Sequence, residues 1–527
     1  MLKATGFHNI QIIFLTVCSL VTLRLSAQGN RERTDLLRNA KHENHITGKD
    51  IGLIDSAFKN GYTDNIVYVD VDGRKFPTLN IQSTDGNVYK GGGRTTYSIW
   101  TRDLYWGFLG WSQAGDESVL PVMRSSLCLL LMAKDKNQAL GQSKTWPLND
   151  KRFYIPQAYT TGLSIAMDFF PWCSESQTDF LLLAHNYWKL SGDRRFIDSI
   201  WNDIVYVTET LELLDSNGNS LPDALQGSYD YQGVGLHTEE PLMCAKTSMA
   251  YKAVAELARM LGKRSYAAKL EKLAAKVKAT MNKDVAAGGL WKKTSDGGYY
   301  VNMRHIDKGE KGIDDRFIPY ENLVSVWCGM TDHRQDEAIF SKLDDGFEKY
   351  YDLTYGPMYC APAVHNDQSV MDCSSVTWLA FLDVYLRGKK GHDANRAKIF
   401  SLLMKHARDA GGIPFPEGAG IYGSLTGGAG RAWDNGNFFH LLLGGIYGIG
   451  KDKDGIMVTA PEKIEGVPLT ALQHVCWREA VYDFTWSGEG KHIQYLSLDG
   501  KKISPRKDIY RLQQATGHHQ IEIRLAP

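Results

Sequence analysis

The chain has 527 residues, 43% of them hydrophobic, with 60 Lys+Arg against 60 Asp+Glu. That length supports one large domain with a smaller one beside it. The balanced charge provides no field to draw in a polyanion, which excludes nucleic acid as the expected partner.

The first 27 residues read as a secretory signal: Lys3, an apolar run over 10–23, and Leu25-Ser26-Ala27 before Gln28. Cleavage there removes two bases and no acid and leaves a net charge of −2. The expectation is an exported protein, periplasmic or extracellular, with no transmembrane segment after signal removal. Seven further cysteines (128, 173, 244, 328, 360, 373 and 476) are scattered without CxxC spacing, the pattern of buried free thiols. Cys360 and Cys373 are the pair close enough in sequence to test for a bridge.

Residues 28–95 form an N-terminal extension of mixed helix and strand, with a polar helical stretch at 33–44 and strand-like runs at 65–73 and 76–82. From 96 to 452 the period is helical. Apolar residues recur at three- and four-residue spacing in 103–113, 118–133, 176–190, 195–214, 241–261, 264–281, 319–330, 333–349, 374–388, 394–410 and 432–448. Short links alternate with long Gly-, Pro- and aromatic-rich ones at 143–162, 215–241, 352–368 and 411–430. Long connections in a compact domain usually carry function. The predicted architecture is mainly α, a ring of helical hairpins with its long loops on one face. From 453 to 527 the period changes to two between Gly and Asp turns, which predicts a small C-terminal antiparallel β-module.

Three loop clusters hold the carboxylates of interest. In "TYSIWTRDLYWGF", Arg102 and Asp103 stand among Trp100, Tyr105, Trp106 and Phe108. The second cluster, "DSNGNSLPDALQGSYDYQGVGLHTEEP", contains Asp223, Tyr229, Asp230, Glu239 and Glu240. The third, "GIPFPEGAGIYGSLTGGAGRAWDNG", contains Glu417, Trp433 and Asp434. Cleaving a glycosidic bond takes one protonated and one ionised carboxyl on opposite sides of the bond, with aromatic walls to hold the sugar. Taken singly, each acid is equally at home as a helix cap, and Asp103 would serve as one.

Asp215, Asn217, Asn219 and Asp223 have the alternate-residue spacing of a calcium loop. However, Ser220 and Gln226 stand where the EF-type loop needs Gly and Glu, so a plain Asn-Gly turn is the preferred reading. No metal and no cofactor are expected.

Taken together and in this order, these motifs resemble the six-hairpin glycosidases. "YSIWTRD" looks like the first-hairpin signature of glucoamylase-type enzymes, in which such a segment binds hydroxyls of the terminal sugar. "PFPEG" followed by "RAWDNGNFFHLLL" is similar to the stretch near the end of that barrel, where a Pro-Glu supplies the catalytic base. "DSNGNSLPD…GSYD" resembles the loop of β-glucosidases of the bile-acid-glucosidase type, in which the Asp of Thr-Tyr-Asp is the acid. The resemblance covers roughly 95–450 and implies an (α/α)6 toroid, an oligo- or polysaccharide substrate, Asp230 as acid and Glu417 as base. It places Trp100, Arg102, Asp103, Trp106, Tyr229, Trp433 and Asp434 in sugar binding. The Trp-Glu-Glu that carries the glucoamylase acid is absent here. Glu240, before Pro241 at a helix start, is the reserve, because a helix N-terminus favours the ionised form. The expected activity is exo-acting, inverting hydrolysis. The alternatives are a polysaccharide lyase, using Tyr229, His237 and Arg304-His305, and a non-catalytic glycan-binding protein.

Overall fold

The computed structural model describes residues 45–46, 57–58, 61–79, 98–139, 154–164, 173–224, 238–359, 375–410, 415 and 432–527, except 466, 468, 470, 514 and 515. The helix at 33–44, the Cys360–Cys373 pair, Tyr229, Asp230, His237 and Glu417 lie outside the described residues.

Among the described residues eleven principal helices follow one another: α1 Thr101–Ala114, α2 Val119–Ala139, α3 Ser174–Ser191, α4 Trp201–Leu213, α5 Pro241–Met260, α6 Arg264–Met281, α7 Pro319–Trp327, α8 His333–Asp345, α9 Thr377–Lys390, α10 Arg396–Asp409 and α11 Ala432–Phe439. The last widens into a π-helical turn over His440–Ile446.

Their residues fix which layer each occupies. In α1 all but Leu109 and Gln113 are buried, so the helix is enclosed on every side. Outer α6 buries Ala267, Leu270, Ala274, Val277, Thr280 and Met281, a single stripe at three- and four-residue spacing. The odd-numbered helices form the inner ring: α1 packs on α3, α3 on α5, α5 on α7, α7 on α9, α9 on α11, and α11 returns to α1. The even-numbered helices run back outside them, which gives the (α/α)6 toroid.

Glycines close the ring. A Cβ on Gly110 of α1 would overlap the Gly436 carbonyl of α11, and one on Gly436 would lie 2.6 Å from the Gly107 oxygen. Trp111 Nε1 donates to the Ala432 carbonyl at 3.2 Å across the same seam. Gly110→Ala gains helix propensity of about 1 kcal/mol, yet α1 and α11 must separate to admit the methyl. Overpacking against backbone costs about 1–3 kcal/mol and sometimes more. Net destabilisation is expected in a urea titration.

Inner helices are entered from short strand pairs on one face. Ser98–Trp100 pairs with Ala158–Thr160 before α1, Thr238–Glu239 with Tyr299–His305 before α5, and Met358–Tyr359 with Ser375–Val376 before α9. The N-terminal turns of the inner helices therefore gather at this mouth. No described helix is long and apolar enough to cross a membrane.

The strand-rich part holds a three-stranded sheet of Ile449–Asp452, Gly455–Val458 and Tyr510–Gln513, and a six-stranded sheet. Within the latter, Ala480–Ser487 runs parallel to Gly517–Ala526. Lys451 joins this part to the barrel. Its buried ammonium donates to the Gly115 carbonyl at 2.6 Å and the Cys476 carbonyl at 3.0 Å, and burial pulls its pKa down to about 8 against the opposing pull of Cys476 and Asp116.

A buried carboxylate cluster at the mouth of the ring

Four acids on three neighbouring inner helices meet below the mouth: Glu175 and Asp179 of α3, Glu240 capping α5, and Glu321 of α7, each at most 1% exposed. Two cations stand among them. Lys246 of α5 donates to Glu175 Oε1 at 2.6 Å and to Asp179 Oδ1. Its ammonium lies 5.4 Å from the Tyr105 ring centroid and 5.7 Å from that of Trp106. Arg102 of α1 is 3.8 Å from Glu175 Oε2, and its guanidinium lies 4.8 Å over the Trp433 ring.

Four carboxyls and two cations in a desolvated space cannot all be charged at modest cost. Burial, with Glu321 and Glu175 adding like charge, holds the Glu240 carboxyl well above the usual range. Glu321 is pushed up to about 8 by burial, although the Leu242 amide donates to its Oε2 at 2.8 Å, and Glu175 adds to the rise. Burial also lifts Asp179, to about 7, against the opposing pull of Lys246. Burial disfavours the Lys246 charge as well, but Asp179 and Glu175 more than offset it and raise its pKa. The cluster therefore holds protonated carboxyls at neutral pH. In particular, the helix-start argument that Glu240 favours its ionised form is outweighed by complete burial beside two other acids.

Trp106, fully buried, contacts Trp378 and Trp327 at centroid distances of 5.4 and 6.0 Å. Trp378 in turn packs on Trp433 at 5.0 Å and on Tyr320 at 5.2 Å. Asp434 Oδ1 accepts from the Trp378 amide at 3.0 Å, capping α9 from α11. Trp100 is half-buried at the entry to α1, and Asp103 is buried in its first turn. Arg102 and Trp433, on the first and last inner helices, thus stand beside the carboxylate cluster, with Asp103 and Asp434 next to them in sequence.

The loop with calcium-like spacing has the opposite polarity to a cation site. The side-chain oxygens of Asp215, Asn217 and Asn219 accept from the backbone amides of Ser220, Asn219 and Leu221 at 2.9, 3.0 and 2.7 Å. The carboxamide nitrogens of Asn217 and Asn219 donate to Glu239 Oε1 at 3.1 and 2.7 Å. The loop's donors therefore converge on a carboxylate.

Sequence reading did not single out Glu175, Asp179, Lys246, Tyr320, Glu321 or Trp378. The available signal was a polar run opening an otherwise apolar helix, "SESQTD" at 174–179, and a Glu in the first turn of "PYENL" at 319–323.

No known family profile matches the chain, and no curated protein sequence matches it. Solved structures do. A GH78-family rhamnosidase of Bacillus sp. GL1 superposes with a TM-score of 0.52 at 12% identity, over 92% of this chain and 44% of that one. The present chain thus spans less than half the length of the rhamnosidase. A bacterial glucoamylase complexed with acarbose gives 0.52 at 15% identity, over 74% and 55% of the two chains. A glycosidase variant in complex with glucose gives 0.50 at 14%, over 75% and 98%. At these identities the likeness is one of fold. The shared fold is the (α/α)6 toroid, mainly α with a strand-rich part.

Proposed function

We propose that the protein is an exported, exo-acting glycoside hydrolase that cleaves terminal sugars from oligo- or polysaccharides with inversion. The observation that carries this reading is the buried acid cluster at the mouth of a six-hairpin ring, walled by Trp106, Trp378 and Trp433 and holding protonated carboxyls at neutral pH. Asp230 gives its proton to the leaving oxygen as the bond from the anomeric carbon breaks. Glu417 takes a proton from the water that attacks the opposite face. In this reading Arg102 and Asp103 hold sugar hydroxyls through charge-assisted contacts that fix orientation.

A second assignment makes Glu240 the acid. It is favoured by the burial that holds its carboxyl well above the usual range, with Oε2 accepting no hydrogen bond among the described residues. The lyase alternative finds less support. Arg304, which would have to neutralise a uronate, is already paired with Glu239, a residue that is itself fully buried.

The test incubates residues 28–527 and the Glu417→Gln variant with a panel of oligosaccharides and aryl glycosides, scoring released monosaccharide and the first-formed anomer. Release by wild type, with a loss of about 10²–10⁴-fold in the folded variant, is expected. An unsaturated, ultraviolet-absorbing product would indicate a lyase, and binding without release a lectin-like role. A retained anomer would reject Glu417 as a base.

A further inference from the structure

Glu239 is fully buried one residue before Glu240, at the crossing of three elements. Asn217 and Asn219 of the 215–223 loop donate to its Oε1, and Arg304 of the Tyr299–His305 strand donates to its Oε2. The backbone is tied at the same point. Glu239 pairs with Arg304, Thr238 with His305, and Asp223 forms an antiparallel bridge with Glu239. The Ala224 amide donates to the Thr238 carbonyl at 2.7 Å, and the Asp223 amide to the Leu214 carbonyl at 2.7 Å. Thr238 Oγ1 and His305 Nδ1 are 3.0 Å apart. The chain that leaves at Ala224 and returns at Thr238 is the segment that carries Tyr229 and Asp230, so its two ends meet directly against Glu239.

A fully buried carboxylate that receives two carboxamides and a guanidinium is committed to those partners rather than to a sugar. What it can do is lock the stem of that loop and the start of α5 to one hairpin. Here the Asn-rich turn and Arg304 perform, around a carboxylate, the ordering that a cation performs around oxygens in a calcium loop.

We propose that Glu239, clamped by Asn217, Asn219 and Arg304, is a positioning residue that ties the 215–224 stem to the start of α5 and so fixes Glu240, the reserve acid, through the adjoining peptide. The proposal rests on the glycosidase reading for its effect on turnover, and on geometry alone for its effect on order. A misplacement of about 1 Å in such a constellation costs on the order of 10²-fold in rate.

The experiment compares wild type, Glu239→Gln, Arg304→Met and Arg304→Lys by steady-state kinetics on whichever glycoside wild type hydrolyses, and by amide hydrogen exchange in all four. For Glu239→Gln and Arg304→Met the expectation is a fall in kcat of about 10²-fold, with KM within about threefold. Exchange should quicken at 215–224 and 238–240 while α9 stays protected, and Arg304→Lys should recover part of the rate. Unchanged kcat and unchanged exchange at the stem would overturn the proposal. So would faster exchange spread evenly over the ring, which would make the clamp a general stability element. If wild type hydrolyses nothing on the panel, the glycosidase reading fails by itself, and the exchange measurements still decide whether the clamp orders the stem.

Discussion

Asp230→Asn is expected to slow release from an unactivated disaccharide by about 10²–10⁴-fold, the usual contribution of a positioned general acid. A dinitrophenyl glycoside of the same sugar should lose far less. Its phenolate leaves without a proton, whereas a sugar alkoxide cannot, so only the disaccharide needs the acid. Glu240→Gln is the informative partner variant. Burial beside Glu321 and Glu175 holds the Glu240 carboxyl well above the usual range, and a glutamine has nearly the shape of a protonated glutamate with an amide N–H in place of its single O–H donor. If Glu240 only completes the cluster, Gln substitutes for it, and both substrates should turn over within about tenfold of wild type, less than a general acid contributes. The reverse pattern, with Glu240→Gln selective against the disaccharide and Asp230→Asn mild on both, would transfer the acid role to Glu240. Little effect from either variant would reject both.

What was legible in the sequence and what was not follow from the same physics. Helix positions were readable because most apolar residues must face a neighbour. The period in 241–261 and 264–281 matches α5 Pro241–Met260 and α6 Arg264–Met281 to within a residue. The hairpin Ile66–Val71 with Arg74–Leu79 was visible as two strand-like runs around Asp72-Gly73. Arg102, Asp103, Trp433 and Asp434 were singled out because the aromatic- and glycine-rich motifs around them are recognisable by type, and they lie in the first turns of α1 and α11. The charged residues inside the helices were not legible. A Lys or Glu within a helical period normally marks a solvated face, and nothing local to "CAKTSM" shows that Lys246 points inward to Asp179 and Glu175. Their pairing spans about 70 residues of sequence and exists only once α3 and α5 stand side by side. The same holds for Glu239, whose partners Asn217 and Arg304 come from the 215–223 loop and the Tyr299–His305 strand.

Lys246→Met should be the most destabilising single change in the barrel interior, and its cost should depend on pH. In wild type the ammonium is 1% exposed and bonded to two carboxylates that are equally buried. Removing it leaves Glu175 with Arg102 at 3.8 Å and Asp179 with no cation among the described ion pairs. Breaking a buried pair from one side costs about 3–5 kcal/mol, because the remaining charge stays desolvated. The pH dependence follows from the acids. The groups facing Asp179 are Lys246 on α5, Glu175 on its own helix and Arg102 on α1. Burial already raises it to about 7 in the folded protein, above the unfolded value of about 3.9. A carboxyl raised on folding binds its proton more tightly in the native state, so its contribution to stability falls as pH rises between those two values. Glu321, raised to about 8, and Glu240 act in the same direction. Wild type should therefore lose some stability between pH 5 and pH 8. Lys246→Met should lose more, since the cation opposing the rise of Asp179 is gone. The lysine itself stays charged across that window in both folded and unfolded chains. Urea titrations of both proteins at pH 5 and pH 8 measure the difference. A deficit no larger at pH 8 than at pH 5 would mean that the carboxylates left behind reach water, and that the cluster is less enclosed than its geometry implies.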